Sequence, residues 1–139
     1  MALKIIQSVF LLLVMAGSAC AEWTRVGGNE LFRAYVDASS IVGIGNLVTI
    51  STLNDYSALQ TTTDGPAYMS SVVWFEFDCV WRWRRQLTAT NFSGAMGSGT
   101  AVFSYDGSRF PIGPVVRGST GEKKWMVACG IYQGRYPEE

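Results

Sequence analysis

No histidine occurs among the 139 residues, so the side chain that most often serves as general base and metal ligand is missing. That absence argues against an enzyme of familiar type and against a haem carrier; no catalytic residue, metal or cofactor is assigned. An excess of charge of one sign is lacking too, with 11 Lys and Arg against 11 Asp and Glu. Nucleic-acid binders carry a basic excess over a face or a domain, so no nucleic-acid partner is expected. Long apolar runs are equally scarce. The most apolar stretch, Val9 to Met15, falls well short of the roughly 20 residues a helix needs to cross a bilayer. Internal repeats and linker-like segments are not found, which leaves a single domain.

Residues 1–21 are set aside before any fold reasoning. They carry Lys4 near the start, the short apolar run, and the small-residue end Ala19-Cys20-Ala21, the layout of a secretory signal peptide. Cleavage after Ala21 leaves one domain, residues 22–139, exported to the periplasm or secreted, with no transmembrane segment. The alternative makes Cys20 the lipidated first residue of an outer-membrane lipoprotein, although Gly17 stands where such signals prefer an aliphatic side chain. Removing Lys4 takes the basic count from 11 to 10 and leaves the near-balance of charge intact.

Cysteine is sparse but informative. Once Cys20 is removed or lipidated, Cys79 and Cys129 remain, in an oxidising compartment where a pair normally bonds. Closing a loop of about 50 residues stabilises a domain by roughly 4 kcal/mol in the chain-entropy model.

What is plentiful is period-two alternation, the signature of half-buried strands. Leu31 to Asp37 reads as a strand followed by a turn at Ala38-Ser39-Ser40. Asn46 to Asp55 reads as another, introduced by the turn residues Gly43 and Gly45. Tyr56 to Ala67 has no period and reads as a surface loop, strand character returns from Tyr68 to Cys79, and Thr100 to Tyr105 gives a further strand. Near the C-terminus, Ser119-Thr120-Gly121-Glu122 is a capping box. It predicts a helix over residues 120–129, with Trp125 and Cys129 on one face and Gly130 as its stop.

Residues 76–86, EFDCVWRWRRQ, are the most unusual stretch. A strand running unbroken from Tyr68 to Phe92 would be far longer than ordinary strands, so a turn must fall inside it. The apolar positions are odd on both sides of that turn, which requires an odd loop unless a bulge intervenes. Trp81-Arg82-Trp83, or Val80 to Arg84, satisfies this, opposing Cys79 to Arg85, Phe77 to Leu87 and Phe75 to Ala89. The tip lacks the Gly or Asn usual at the left-handed position of a short hairpin. Trp81, Arg82, Trp83 and Arg84 are the candidate partner-binding residues, because Trp and Arg are enriched at binding hot spots. Against this stands a plainer reading, in which the arginines are solvated or paired with Glu76 and Asp78 and the indoles fold back on the core. Contact with nucleic acid or membrane is the least favoured.

Two further patterns invite chemistry and decline it. The glycine-rich Gly94 to Gly99 opens a strand rather than a helix, so it makes no phosphate cradle, and Met96 breaks the G-x-S-x-G pattern around Ser98. Glu76 and Asp78 share a strand face, where solvated carboxylates are commoner than an acid and base pair.

An ordered set of short motifs then adds up. It comprises Trp23; Tyr35-Val36-Asp37 with Ser40-Ile41; Asp55-Tyr56; Tyr68-Met69-Ser70-Ser71; Phe77-Asp78-Cys79 with Arg82 and Arg85; Phe92 to Gly99; and Gly118 to Glu122 leading to Trp125 and Cys129. From about Trp23 to Gly130 the chain resembles the surface-adhesin protein E family of Gram-negative bacteria. The resemblance implies an α+β fold: an antiparallel meander of about six strands with a short C-terminal helix packed on it and tied by a Cys79–Cys129 disulfide. It further implies adhesion to a host extracellular-matrix or serum protein, a homodimer, and structural roles for Asp78, Arg85, Ser119, Glu122 and Trp125. Trp81 and Trp83 lie outside the family pattern. A chain that loses Cys20 would lack the lipid anchor of a surface-exposed member and would suit a periplasmic accessory domain instead.

Overall fold

The structure is a computed structural model and describes residues 20–107 and 110–132; most of the predicted signal segment, residues 1–19, lies outside them. Among these residues seven strands and one α-helix follow one another: β1 (Trp23–Gly28), β2 (Phe32–Ile44), β3 (Leu47–Gln60), β4 (Tyr68–Asp78), β5 (Trp83–Phe92), β6 (Ala101–Asp106), β7 (Gly113–Pro114) and α1 (Thr120–Tyr132). Strands β1 to β6 lie side by side in chain order, each antiparallel to the next, and β7 pairs with β5 near the tip of the β4–β5 hairpin. The α+β meander with a C-terminal helix is therefore the fold, and Cys79 and Cys129 are bonded with their Cα atoms 5.5 Å apart.

Alternation sorts the side chains onto two faces. Val36, Val48, Ile50, Val73, Phe75, Phe77 and Ala89 are buried on the face that α1 covers with Ala128, Cys129 and the half-buried Trp125. Facing pairs such as Val48 with Phe77 and Ile50 with Phe75 keep this layer in register across the central strands.

The second face is covered only in part. The segment Gly94 to Gly99 folds over Leu53, Ser70 and Asp55, all buried. Asp55 Oδ1 accepts from the Met96 amide at 2.8 Å, and Ser70 Oγ accepts from the Gly97 amide at 2.9 Å while donating to the Gly94 carbonyl at 2.7 Å. Met96 and Gly97 both take positive φ here, 55° and 72°, and a Cβ on Gly97 would already touch Leu53 and Val72 at 3.4 Å. Glycine thus lets the backbone lie flat on this part of the sheet.

Several expectations change. The Ala38-Ser39-Ser40 turn is a bulge inside a single long β2, with the register shifting between Asp37 and Val42; Asp37 Oδ1 accepts from the Ser39 amide at 3.0 Å and so holds the kink. Strand β3 runs on to Gln60, through the first five residues of the expected loop. Aromatic packing extends it: the Tyr56 ring lies between Phe32 and Tyr68, with centroids 6.2 and 5.7 Å away. Helix α1 passes through Gly130 to Tyr132, since Gly130 keeps negative φ and does not form the left-handed cap that a glycine stop requires.

The β4–β5 turn also departs from the parity argument. Phe77 opposes Arg84 and Phe75 opposes Gln86, whereas Val73 opposes Ala89. The loop is the four residues Cys79 to Arg82, and a bulge at Leu87 restores the odd-to-odd pairing farther along. Trp83 therefore belongs to β5 rather than to the turn.

Candidate functional site

The turn is built by Asp78. Its Oδ1 accepts from the Val80 and Trp81 amides at 2.9 and 2.8 Å, and its carbonyl accepts from the Arg82 amide at 3.1 Å. Arg82 occupies the left-handed position, φ 56°, where glycine is usual. Contacts beyond the hairpin hold it there. Its carbonyl accepts from the Val115 amide at 2.8 Å, its guanidinium pairs with Glu122, and the same guanidinium lies 4.3 Å from the Trp125 ring centroid.

Those contacts fasten the tip to α1. Trp125 Nε1 donates to the Asp78 carbonyl at 3.0 Å beside the disulfide. Ser119 Oγ accepts from the Glu122 amide at 3.1 Å, and Glu122 Oε1 accepts from Gly118 at 3.2 Å, one residue before the position expected of a capping box. The Gly118 amide and then the Arg82 guanidinium hold the Glu122 carboxyl below the usual glutamate range. Asp78, Cys79, Arg82, Ser119, Glu122, Trp125 and Cys129 thus form one lock between hairpin and helix.

The four candidate partner-binding residues do not stay together. Arg82 is engaged in the lock. Arg84 points to the helix-covered side, its guanidinium 5.8 Å from the Phe75 ring centroid. Trp81 is 73% exposed at the tip, and Trp83, 47% exposed, projects from the face away from the helix. Arg85 shares that face and pairs with Glu76 at 2.7 Å, so Glu76 and Asp78 work as an ion-pair partner and a turn cap.

Around Trp83 and Trp81 the structure assembles residues that sequence reasoning passed over. Ile44 faces Leu47 across the β2–β3 turn, Val42 faces Thr49, and Thr49 faces Glu76. Ile44 is 80% exposed, and Val42, Leu47, Trp74 and Val80 are exposed as well. Val42, Ile44, Leu47, Thr49 and Glu76 line a shallow hollow of ≈ 210 Å³. The two turns meet at this end of the sheet, where the Cys79 amide donates to the Asn46 carbonyl at 2.9 Å. The result is an apolar patch with the Glu76–Arg85 pair set within it. Trp74, on the even face of β4 beside the charged Glu76 and Asp78, was the visible signal.

Cys20 is exposed, three residues before β1. No helix among the described residues is long and apolar enough to cross a membrane.

A small antiparallel sheet with one face locked under a disulfide-tied helix and the other partly open is the architecture of a compact α+β domain. The chain belongs to the surface-adhesin protein E family, whose family model matches residues 23–130, and membership of a surface-adhesin family implies export. Among solved structures it is similar to Haemophilus influenzae protein E, with a TM-score of 0.62 at 13% identity, covering 83% of this chain and 89% of that one. Protein E from non-typeable Haemophilus influenzae gives a TM-score of 0.60 at 12% identity, over 88% of this chain and 85% of that one. At such identities the likeness shows the fold. A comparison with curated proteins found no match.

Proposed function

We propose that this protein is a non-enzymatic exported binding module that engages an extracellular-matrix or serum protein through the open end of its sheet. The carrying observation is the patch of Trp81, Trp83, Trp74, Val42, Ile44 and Leu47, exposed on the face that no helix covers. Family membership supports adhesion as its use. Large aromatic side chains around a central ion pair suit a protein partner, because indoles bury much area at little entropic cost and the Glu76–Arg85 pair sets orientation.

Within this reading residues 1–21 are a cleaved leader and residues 22–139 the mature domain. Strand β1 starts at Trp23, so a cut after Ala21 leaves the sheet whole, and a lipidated Cys20 would place it close to the membrane surface. Mass spectrometry of the mature amino terminus distinguishes Glu22 from a lipidated Cys20.

The test is binding of the purified mature chain to immobilised matrix and serum proteins, comparing wild type with Trp81→Ala/Trp83→Ala. Loss of about tenfold or more in affinity supports the site. Equal binding by both removes the tryptophans from it. Protection of the protein from protease added to intact cells would assign a periplasmic accessory role instead. Sedimentation of the pure chain tells a partner site from a surface that pairs two copies.

A further inference from the structure

On the opposite side of the sheet, beneath the amino-terminal end of α1, lies a second hollow of ≈ 240 Å³. Its walls are of two kinds. Val73, Phe75 and Phe77 make one side apolar, whereas Lys124, Arg84 and Asn54 bring charge and polar groups to the other. Lys124 is only 5% exposed. Its ammonium donates to Asn54 Oδ1 at 3.1 Å and to Thr52 Oγ1 at 3.5 Å, both neutral acceptors.

Two cations share one aromatic ring. The Lys124 Nζ atom lies 5.4 Å from the Phe75 centroid, and the Arg84 guanidinium carbon lies 5.8 Å from it. Among the described residues no carboxylate lines the hollow. Among the described residues the ion pairs are Arg82 with Glu122 and Arg85 with Glu76, and neither includes these two cations. Burial, and then the nearby Arg84, push the Lys124 ammonium down to about 8. A buried charge facing a like charge with no counter-ion is an unfavourable arrangement in an empty site. The first turn of α1 contributes Thr120 and Gly121 to the wall, and the positive end of the helix dipole adds to the same field.

We propose that this hollow binds a small organic carboxylate, its carboxylate group between Lys124 and Arg84 and its apolar body against Phe75 and Val73. The size is adequate, since a cavity of about 150 Å³ suffices for benzene. The apolar half of the lining favours an organic acid over a bare inorganic anion, which would make no contact of its own with the edges that Val73 and Phe75 turn to the hollow. The site faces away from the tryptophan patch, and it stands whether or not that patch binds a partner.

Benzoate is a suitable probe. Calorimetric titration of the mature chain at pH 7 compares benzoate with benzamide, its neutral isostere, and with inorganic phosphate. Benzoate is expected to bind at least about tenfold more tightly than either. In amide NMR spectra, shifts are expected at Phe75, Thr120 and Gly121. Arg84→Gln, at an exposed position, and Lys124→Met are each expected to weaken benzoate by about tenfold or more and to leave benzamide unchanged. Equal affinity for benzoate and benzamide overturns the proposal, as does benzoate binding insensitive to both substitutions. Phosphate binding as tightly as benzoate overturns the ligand class, and the absence of shifts at those amides up to about 10 mM benzoate overturns the site.

Discussion

The two faces of this sheet are made by the same strands and are covered very differently. On the helix side Phe77, Ile50 and Val48 are fully buried, and the neighbouring α1 is held by a disulfide, an ion pair and a tryptophan hydrogen bond. On the other side, one residue along the same strands, Trp74, Leu47 and Ile44 face solvent. An apolar side chain therefore says little by itself; what covers it decides whether it contributes stability or recognition. Strand β4 shows this within three residues, with Val73 and Phe75 in the core and Trp74 between them exposed.

Substitutions on the two faces should separate these roles. Phe77→Ala is expected to lower unfolding free energy by about 3–5 kcal/mol in a urea titration, the range for a large buried aromatic. Replacing both cysteines, Cys79→Ala with Cys129→Ala, should cost on the order of 4 kcal/mol by the same measurement, because the bond closes a loop with a sequence separation of 50. A fall as small as that for a surface substitution would break the contrast between the faces.

Lys124 gives an effect of opposite sign. Its folded value of about 8 lies below the ordinary 10.5, so at neutral pH the folded state carries an ammonium that the unfolded state solvates better. Lys124→Met should therefore stabilise the domain at pH 7, by up to about 3 kcal/mol. As pH rises from about 8 towards 10.5 the folded wild type sheds its proton first, gains stability relative to the variant, and the gap closes. Urea titrations of both proteins at pH 7 and pH 10 check the sign.

The smallest effects concern the rim. The Glu122 carboxylate is favoured in the folded state, so its contribution is present above the ordinary glutamate range and lost as pH falls through the lowered folded value. Glu122→Gln should lower Tm modestly at pH 7, with the difference vanishing in acid. Ile44→Ala, on the open face, should change stability by no more than about 0.5 kcal/mol, while weakening any partner held by that patch.

Much of the covered face was legible because burial imposes period two on β3 and β4, and because Cys79 and Cys129 are the pair left once Cys20 is set aside. The capping box marked the start of α1 for an equally local reason. The open site was not legible, for reasons that can be located. A bulge at Leu87 removes one residue from the alternation, which is why parity asked for an odd loop and the structure holds four residues. Arg82 carries no turn signature, because what holds it left-handed is Val115 and Glu122, distant in sequence. Val42 and Ile44 reach the open face only after the Asp37 bulge resets the register of β2. Lys124 reads as one of two adjacent surface lysines, and only the position of the sheet makes it buried.

Under the proposed function, the lock at the hairpin tip would bear on recognition as well as on stability. Trp81 sits on a four-residue loop with Cys79 bonded to α1 at one end and Arg82 clamped at the other. The backbone beneath the indole is ordered when the domain folds and oxidises, so docking need not order it again. If the proposed site holds a partner, its residence time is expected to fall when the Cys79–Cys129 bond is reduced, because the tip loses the tie that keeps its backbone ordered.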